Sequence, residues 1–581
     1  MIIKSGIAVS PGIAIGPALL FGVRSFRIPQ RFVAVDAVDG EVTRLRLAIQ
    51  TVAKSIEQSQ ESASRQLGSE YAAIFGAHLM MVQDPKLLGE VETLIRTKCF
   101  SPEFACSRVF RNYARSLQNL GNAYMAERAA DVLDLEKRVM NALLGESRRD
   151  LSNLSHPAVI LAHNLTPSET ASLDRKNVLG FATEGGGRTS HTAILAGALE
   201  LPAVVGVGSF LSDVSVDDVV IIDGSNGKVV IDPDEATLAG YRFVLSQQKS
   251  ESHRLASLNS GAATTLDGVR IQVMGNIEFP QEVQHCIERG ADGIGLYRTE
   301  FLYIGADHSP SEEEQFNSYR AVVAACNDRP VVIRTLDLGA DKIPGGDSIF
   351  HTNAENPALG LRSIRLSLRY ISLFKTQLRG ILRAGCGGRV KIMFPLITSL
   401  LELRQAKLIL RDVMDDLAEE RIAFSRDVQV GMMVEVPAAA LQARIFAKEV
   451  DFFSIGTNDL IQYALAVDRS DPNVAALYSS ADPAILTLLK MTVDAAREQG
   501  IPVTICGQMS SDLRFIPLLI GLGVRTLSVT PFAIAEVRDL IRHLSVSQAE
   551  EIAEHALTLD LARDVDNYLR GELQRIYPEK Q

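Results

Sequence analysis

The stretch Glu184-Gly-Gly-Gly-Arg-Thr-Ser-His191-Thr-Ala-Ile-Leu-Ala-Gly-Ala-Leu-Glu200 follows an apolar run, Val178-Leu-Gly-Phe-Ala182, that reads as a buried strand. Beyond the glycines, Thr192, Ala193, Leu195, Ala196, Ala198 and Leu199 suit a helix. Strand, glycine loop and helix in that order leave free backbone N–H groups at a helix start, where an anion is favoured. His191 lies at that start, flanked by Thr189, Ser190, Thr192 and Arg188. A neutral imidazole there is a competent nucleophile towards a bound phosphate. The bland alternative is a solvated histidine in a capping turn. A serine nucleophile is disfavoured, because no G-x-S-x-G pattern surrounds Ser190.

The chain around this stretch has 581 residues, more than one core can serve, so two or more domains are expected. Hydrophobic residues make up 46% and charged residues 22%, ordinary for a globular protein. With 70 acidic residues against 59 basic ones, the net charge is −11. This argues against a nucleic-acid or anionic-membrane partner and suits a basic protein partner. The six cysteines contain no C-x-x-C pair, so neither a disulfide framework nor a zinc site is expected. No run of about 18 apolar residues occurs and the first residues lack a signal-peptide pattern, so the expectation is a cytoplasmic protein without membrane insertion.

Residues 1–23 alternate short apolar runs with glycine and proline and read as one or two strands. From about residue 35 the apolar spacing becomes helical. Helices are expected over 71–83, 86–98, 102–120 and 124–144, making 24–145 an all-helical insert. Strands resume at 158–162, 178–183, 203–205 and 219–223, and a turn at 225–228 leads into 229–231. These strands and those of residues 1–23 are expected to form one α/β domain, 1–23 plus 146–232. Residues 233–260 read as a linker helix.

From 261 to 581 short apolar strands alternate with amphipathic helices. Eight strand candidates (271–274, 293–296, 331–333, 391–394, 431–434, 452–455, 503–505 and 526–529) suggest a (β/α)8 TIM barrel, whose site lies where the strands end. Those ends carry Asn276, Arg298 with Glu300, Arg334 with Asp337, Glu435, Asn458 with Asp459, and Cys506. Arg298 and Arg334, joined by Arg362 and Arg469, supply guanidinium forks for a substrate bearing carboxylate and phosphate groups. Glu435 and Asp459 are hard oxygen ligands suited to Mg²⁺. Cys506, at a strand end beside Gly507, is a candidate acid–base group, against the commoner reading of an inert core thiol.

The His191 loop, together with Asp451-Phe-Phe-Ser-Ile-Gly-Thr-Asn-Asp-Leu-Ile-Gln-Tyr463 and Leu465-Ala-Val-Asp-Arg469, resembles the two signatures of phosphoenolpyruvate-utilising enzymes. Ser5-Gly6, Ser10-Pro-Gly12, Ala126-Glu-Arg-Ala-Ala-Asp-Val132, Leu165-Thr-Pro-Ser-Glu-Thr170, Gly295-Leu-Tyr-Arg-Thr-Glu-Phe301 and Met432-Met-Val-Glu435-Val-Pro437 extend the likeness, and narrow it to the Enzyme I family of the sugar phosphotransferase system. The resemblance spans the whole chain in order.

It implies that His191 takes the phosphoryl group of phosphoenolpyruvate through Nε2, releasing pyruvate. Arg298, Arg334, Asn458, Asp459, Arg469 and Arg362 would bind the substrate, Mg²⁺ would rest on Glu435 and Asp459, and Cys506 would protonate the enolate. Arg188 and Thr170 would support the histidine loop. The α/β domain would be the swivelling phosphohistidine domain, and the helical insert would dock a histidine-containing phosphocarrier protein (HPr or HPr-like), with Glu70 and Asp84 candidates to meet it. The barrel would form a homodimer.

The chain departs from the family in two places. Gly197 stands where the family has arginine. Cys506-Gly-Gln-Met-Ser-Ser-Asp512 carries Gln508 for a glutamate and Ser511 for a glycine, which implies an unusual backbone angle at Ser511. These departures give the alternative of a catalytically weak, phosphoenolpyruvate-sensing regulatory paralogue. The related dikinase and synthase are disfavoured, because the segment before His191 is too short for a nucleotide-binding region and no G-x-x-x-x-G-K-[ST] motif occurs.

Overall fold

A computed structural model describes the chain except residues 11, 22–30, 35–36, 68–77, 119–131, 134, 137, 141, 144–153, 155, 166–172, 174–176, 187–200, 216–217, 258–260, 304–308, 340–355, 470, 472 and 579–581. His191, Arg188, Thr170, Gly197 and Glu70 lie outside the described residues, as do most of the expected helices over 71–83 and 124–144. The chain divides into two compact units, Met1–Ser250 and Glu251–Gln581.

The first unit is built on eight strands: β1 (Ile2–Ser5), β2 (Ile7–Ser10), β3 (Ile13–Phe21), β4 (Ala158–Ala162), β5 (Val178–Thr183), β6 (Ala203–Val205), β7 (Val219–Asp223) and β8 (Lys228–Ile231). They form one sheet in the order β1-β8-β7-β3-β4-β5-β6-β2. Pairs β3–β4, β4–β5 and β5–β6 are parallel and the others antiparallel. Residues 1–23 thus carry three strands where the apolar runs alone suggest one or two. Gly12, at φ +117°, makes the break between β2 and β3 that a residue with a side chain would resist. The sheet buries Val159, Leu161, Ala182, Val204, Val220, Ile222 and Val229 on a common core with Phe210.

Between β3 and β4 run helices Val38–Leu67, Pro85–Lys98 and Pro102–Gln118. Asp84 caps the second, its carboxylate accepting from the N–H groups of Lys86 and Leu87, with Pro85 in the first turn where no N–H is needed. The Asp84 carboxylate, a candidate contact for a carrier, is therefore engaged in holding its own helix. A further helix, Glu235–Ser257, follows β8.

The second unit closes eight parallel strands into a barrel: β9 (Gln272–Ile277), β10 (Ile294–Tyr297), β11 (Val331–Arg334), β12 (Val390–Phe394), β13 (Gln429–Val434), β14 (Phe452–Ile455), β15 (Val503–Ile505) and β16 (Thr526–Val529). Each pairs with the next and β16 pairs with β9. All eight sequence candidates are strands, with ends moved by up to three residues. Such strands are legible because both faces are buried, one against helices and one inside the barrel. Leu296, Val332, Met393, Met433, Phe452 and Cys506 form a buried cluster of their own from the inward positions. The Phe452 ring sits 2.4 Å from where a Cβ on Gly431 would lie, so only glycine lets β13 pass it. No helix among the described residues is long and apolar enough to cross a membrane.

Candidate active site at the barrel mouth

Arg334 is the last residue of β11 and its side chain is 9% exposed. One terminal nitrogen meets Glu300 Oε1 at 2.8 Å and the other Asp337 Oδ2 at 3.0 Å. Its Nε is buried with no hydrogen-bond partner among the described residues. Burial works against its charge, and Glu300 and Asp337 outweigh that to raise its pKa. Asp337 also takes Arg362 at 2.8 Å, and Arg362 lies 3.8 Å from Asp459 Oδ2. Arg362 is steadied by Tyr463, whose hydroxyl accepts from its Nη1 at 3.2 Å and donates to Ala358 O. Arg469, nearly half exposed, approaches Asp459 Oδ1 at 3.9 Å. The structure therefore gathers Arg334 and Arg362 on Asp337 and brings Arg362 and Arg469 to Asp459, and it makes Glu300 and Asp337, which the sequence places at strand ends without a role, the counter-ions of Arg334.

Glu435 follows β13 and is 1% exposed. Its Oε1 accepts the N–H of Leu396 at 2.6 Å, and Leu396 holds φ +52° to present it. Burial pushes the Glu435 carboxyl up to about 8, and the charges of Asp337 and Asp459 add to this while Arg334 opposes. Asp337, which burial would raise, is held down at about 2 by Arg334 and Arg362.

Four carboxylates (Glu300, Asp337, Glu435 and Asp459) thus face three guanidiniums (Arg334, Arg362 and Arg469). A cation between Glu435 and Asp459 would offset the burial, and after it the like charges, that keep a proton on Glu435, so the donor chemistry fits a hard divalent ion. Among the described residues no group of three or more His, Cys, Asp or Glu is gathered to hold one. Substrate and water oxygens would have to complete the shell.

Arg298 is placed differently. Its Nη1 meets Glu278 Oε1 at 2.6 Å, with about a third of each side chain exposed. Glu278 sits in the loop after β9, whose N–H groups at 278 and 279 are held by Glu282. Sequence reading missed Glu278, since nothing in a loop residue's neighbourhood along the chain announces an ion pair 20 residues away.

Asn458 Oδ1 accepts the N–H of Gln508 at 2.9 Å, which fixes the turn after Cys506. The Gln508 side chain itself is exposed. Ser511 does not hold the left-handed angle expected of a glycine replacement. It ends a short 3₁₀ turn, Gln508–Ser511, and its hydroxyl accepts the N–H of Thr530 at 3.0 Å. Cys506 is 2% exposed, and burial pushes its thiol up to about 11.

In the first unit, only the entrance to the glycine loop is described. Glu184, at the end of β5, accepts from Phe210 and Leu211 N–H and meets His163 Nδ1 at 2.7 Å. Gly185 O accepts from Thr183 Oγ1 at 2.7 Å. The residue leading into the loop is thus anchored on both sides.

Three family profiles match the chain in order. That of the PEP-utilising enzyme, N-terminal, covers residues 5–128; that of the mobile domain covers 154–227; and that of the PEP-binding domain covers 252–546. The chain is 43% identical to the phosphoenolpyruvate-protein phosphotransferase of Geobacillus stearothermophilus, over 97% of each chain. It is 41% identical to that of Priestia megaterium, over 97% of this chain and 98% of the relative.

Proposed function

The chain belongs to the phosphoenolpyruvate-utilising enzymes, among the phosphoenolpyruvate-protein phosphotransferases, and we propose that it carries the phosphoryl group of phosphoenolpyruvate on His191 and hands it to a small histidine-containing phosphocarrier protein. The observation that supports this reading best is the barrel mouth, where Arg334, Arg362 and Arg469 converge with Asp337 and Asp459 beside the buried Glu435.

In this reading the guanidiniums of Arg298, Arg334, Arg362 and Arg469 hold the substrate's carboxylate and phosphate, and the Asn458 and Asp459 region completes the pocket. The imidazole of His191 attacks phosphorus in line, a P–N bond forms, and the bond from phosphorus to the enol oxygen breaks. Glu435 and Asp459 would hold Mg²⁺, which when bound neutralises charge on the transferring group. Cys506 then gives its proton to C3 of the enolate, making pyruvate. A thiol raised to about 11 keeps its proton at neutral pH, as a general acid must.

The remaining assignments belong to the same proposal. Residues 1–23 with 146–232 form the swivelling domain, 24–145 the carrier-binding insert, 233–260 the linker, and 261–581 the substrate-binding and dimer-forming barrel, with the chain working in the cytoplasm as a homodimer. Arg188 and Thr170 support the phosphorylated histidine.

Mixing the protein with phosphoenolpyruvate and Mg²⁺ in the absence of carrier should release one pyruvate per chain as a burst, and adding an HPr should turn the burst into continuous release. Substrate binding without a burst would favour the sensing paralogue instead.

A further inference from the structure

Cys506 is fixed at every polar atom around it. Its N–H donates to Ile455 O at 3.1 Å, and its carbonyl accepts from Asn276 Nδ2 at 3.1 Å. The next N–H but one, of Gln508, donates to Asn458. Ser510 Oγ bonds Gly507 O at 2.7 Å and Ser528 O at 2.6 Å. Two groups among the described residues hydrogen-bond the sulfur, and beyond burial the charges of Glu435, which pushes its pKa up, and of Arg334 and Arg298, which pull it down, act on it as well. Ser454 Oγ donates to it at 3.2 Å, and it donates weakly to Ile455 O at 3.5 Å. Otherwise it packs in the apolar layer with Leu296, Val332, Met393, Met433 and Phe452.

Ser454 is 1% exposed on β14, and its hydroxyl makes no other side-chain bond among the described residues. A hydroxyl placed in an apolar barrel layer needs a partner, and the thiol is the one it has.

The two contacts of the sulfur favour opposite protonation states. The carbonyl of Ile455 can accept only from the S–H form. The hydroxyl of Ser454 donates to either form, and its bond strengthens when sulfur becomes an anion. We propose that Ser454 is the positioning residue that makes Cys506 a usable acid, by holding a hydrogen bond ready for the thiolate that proton donation leaves behind. The inference rests on Cys506 being the proton donor of the reaction proposed above.

In the step itself the S–H bond breaks and a C–H bond forms at C3 with the electron pair of the enolate. Sulfur keeps the electrons of its broken bond, Ser454 keeps its own proton, and the thiolate regains a proton from solvent once pyruvate has left. Neither oxidant nor further reactant is needed. In reverse, the same thiolate would remove a C3 proton from bound pyruvate.

The test uses that reverse step in the full-length protein: exchange of pyruvate methyl protons for deuterium in D2O with Mg²⁺, followed by NMR across pH. Exchange by the wild type should rise with pH as the thiolate forms. Ser454→Ala should slow it by about tenfold or more at neutral pH and move the rise upward by about one pH unit, the size expected for a lost hydrogen bond to a charged group. Ser454→Thr, which keeps the hydroxyl, should follow the wild type, whereas its isostere Ser454→Val should follow Ser454→Ala; this pair also decides the matter if Ser454→Ala does not melt cooperatively.

A wild-type pH profile in both Ser454→Ala and Ser454→Val, with Cys506→Ala inactive in exchange, would overturn the role of Ser454 and leave Cys506 as the acid. Exchange by Cys506→Ala at the wild-type rate would instead overturn the reading of Cys506, and the inference with it.

Discussion

In the first unit the ends of β4 and β5 carry a single described imidazole–carboxylate hydrogen bond, His163 with Glu184, and the sheet beneath is apolar. In the second, the strand ends of the barrel carry arginines and carboxylates buried in contact with one another, from Arg334 and Glu300 to Arg362 and Asp337. The sheet buries apolar strands and releases a glycine loop at one end. The barrel encloses charge. Desolvated charge is costly unless paired and is strong when a substrate completes the pairing. On the proposed function, the barrel grips the substrate and the loop carries the travelling group.

The largest effect should come from the buried charge. Arg334→Gln leaves Glu300 and Asp337 facing each other without their common cation. Activity, as kcat/KM for phosphoenolpyruvate, should fall by roughly 10²–10³-fold, and chemical denaturation should show a loss of about 3–5 kcal/mol. Activity retained in this variant would break the assignment of grip to the barrel.

Arg469→Ala sharpens the point from the exposed side of the same mouth. Its loose contact with Asp459 and its exposure predict weakened substrate binding, roughly tenfold to a hundredfold in KM, with stability changed by no more than about 0.5 kcal/mol. Equal losses of stability in the two variants would erase the distinction between buried and exposed clamp residues.

A pH effect follows from Glu282, which holds the loop bearing Glu278. Burial first, and then Glu278, push its carboxyl up to about 7. In the unfolded chain it would titrate near about 4.5, so the folded state binds the extra proton between those values. The share of the barrel unit's stability that Glu282 carries should therefore fall as pH rises from about 5 to 7 and level off above, while Glu435 carries a fall on to about pH 8. Glu282→Gln should flatten that fall by a few kcal/mol, read from denaturation midpoints at pH 5 and pH 8. A fall of unchanged size would place the titrating group elsewhere.

The smallest expected effect lies in the first unit. Burial works against the Glu184 charge, but the bonds from His163, Leu211 and Phe210 hold its carboxyl below the usual range. That contribution is present above the unfolded carboxylate pKa and is lost as pH falls through the lower folded value. Glu184→Gln should cost about 1 kcal/mol at neutral pH, with the difference shrinking in acid. A cost matching that of Arg334→Gln would show that the sheet end carries as much charge energy as the barrel mouth.

How much of this was legible follows the same division. All eight barrel strands could be read, because buried parallel strands are short apolar runs between amphipathic helices. Arg298, Arg334, Glu435 and Asp459 could be placed at strand ends for the same reason. Glu300 and Asp337, which meet Arg334, stand at strand ends too, but the partners of Arg298 and Glu435 could not be read. Glu278 meets Arg298, and Leu396 offers its N–H to Glu435, only because of loop angles that no periodicity encodes. Ser511 shows the opposite failure: a glycine replaced on the page suggested strain, yet the turn there is an ordinary 3₁₀ one. Ser454 looked like one more residue in an apolar strand until β14 turned its hydroxyl towards Cys506. In residues 1–23 the breaks at Gly6 and Gly12 divide the short apolar runs into three strands where one or two are expected.

The central claim is that the group gripped by the barrel ends on the histidine of the loop. Intact-mass analysis of the full chain after incubation with phosphoenolpyruvate and Mg²⁺ tests it, on the wild type and on His191→Ala. The account predicts one acid-labile phosphoryl group per wild-type chain and none on the variant, with both proteins equally folded. A phosphoryl group on His191→Ala, or none on the wild type, would contradict it.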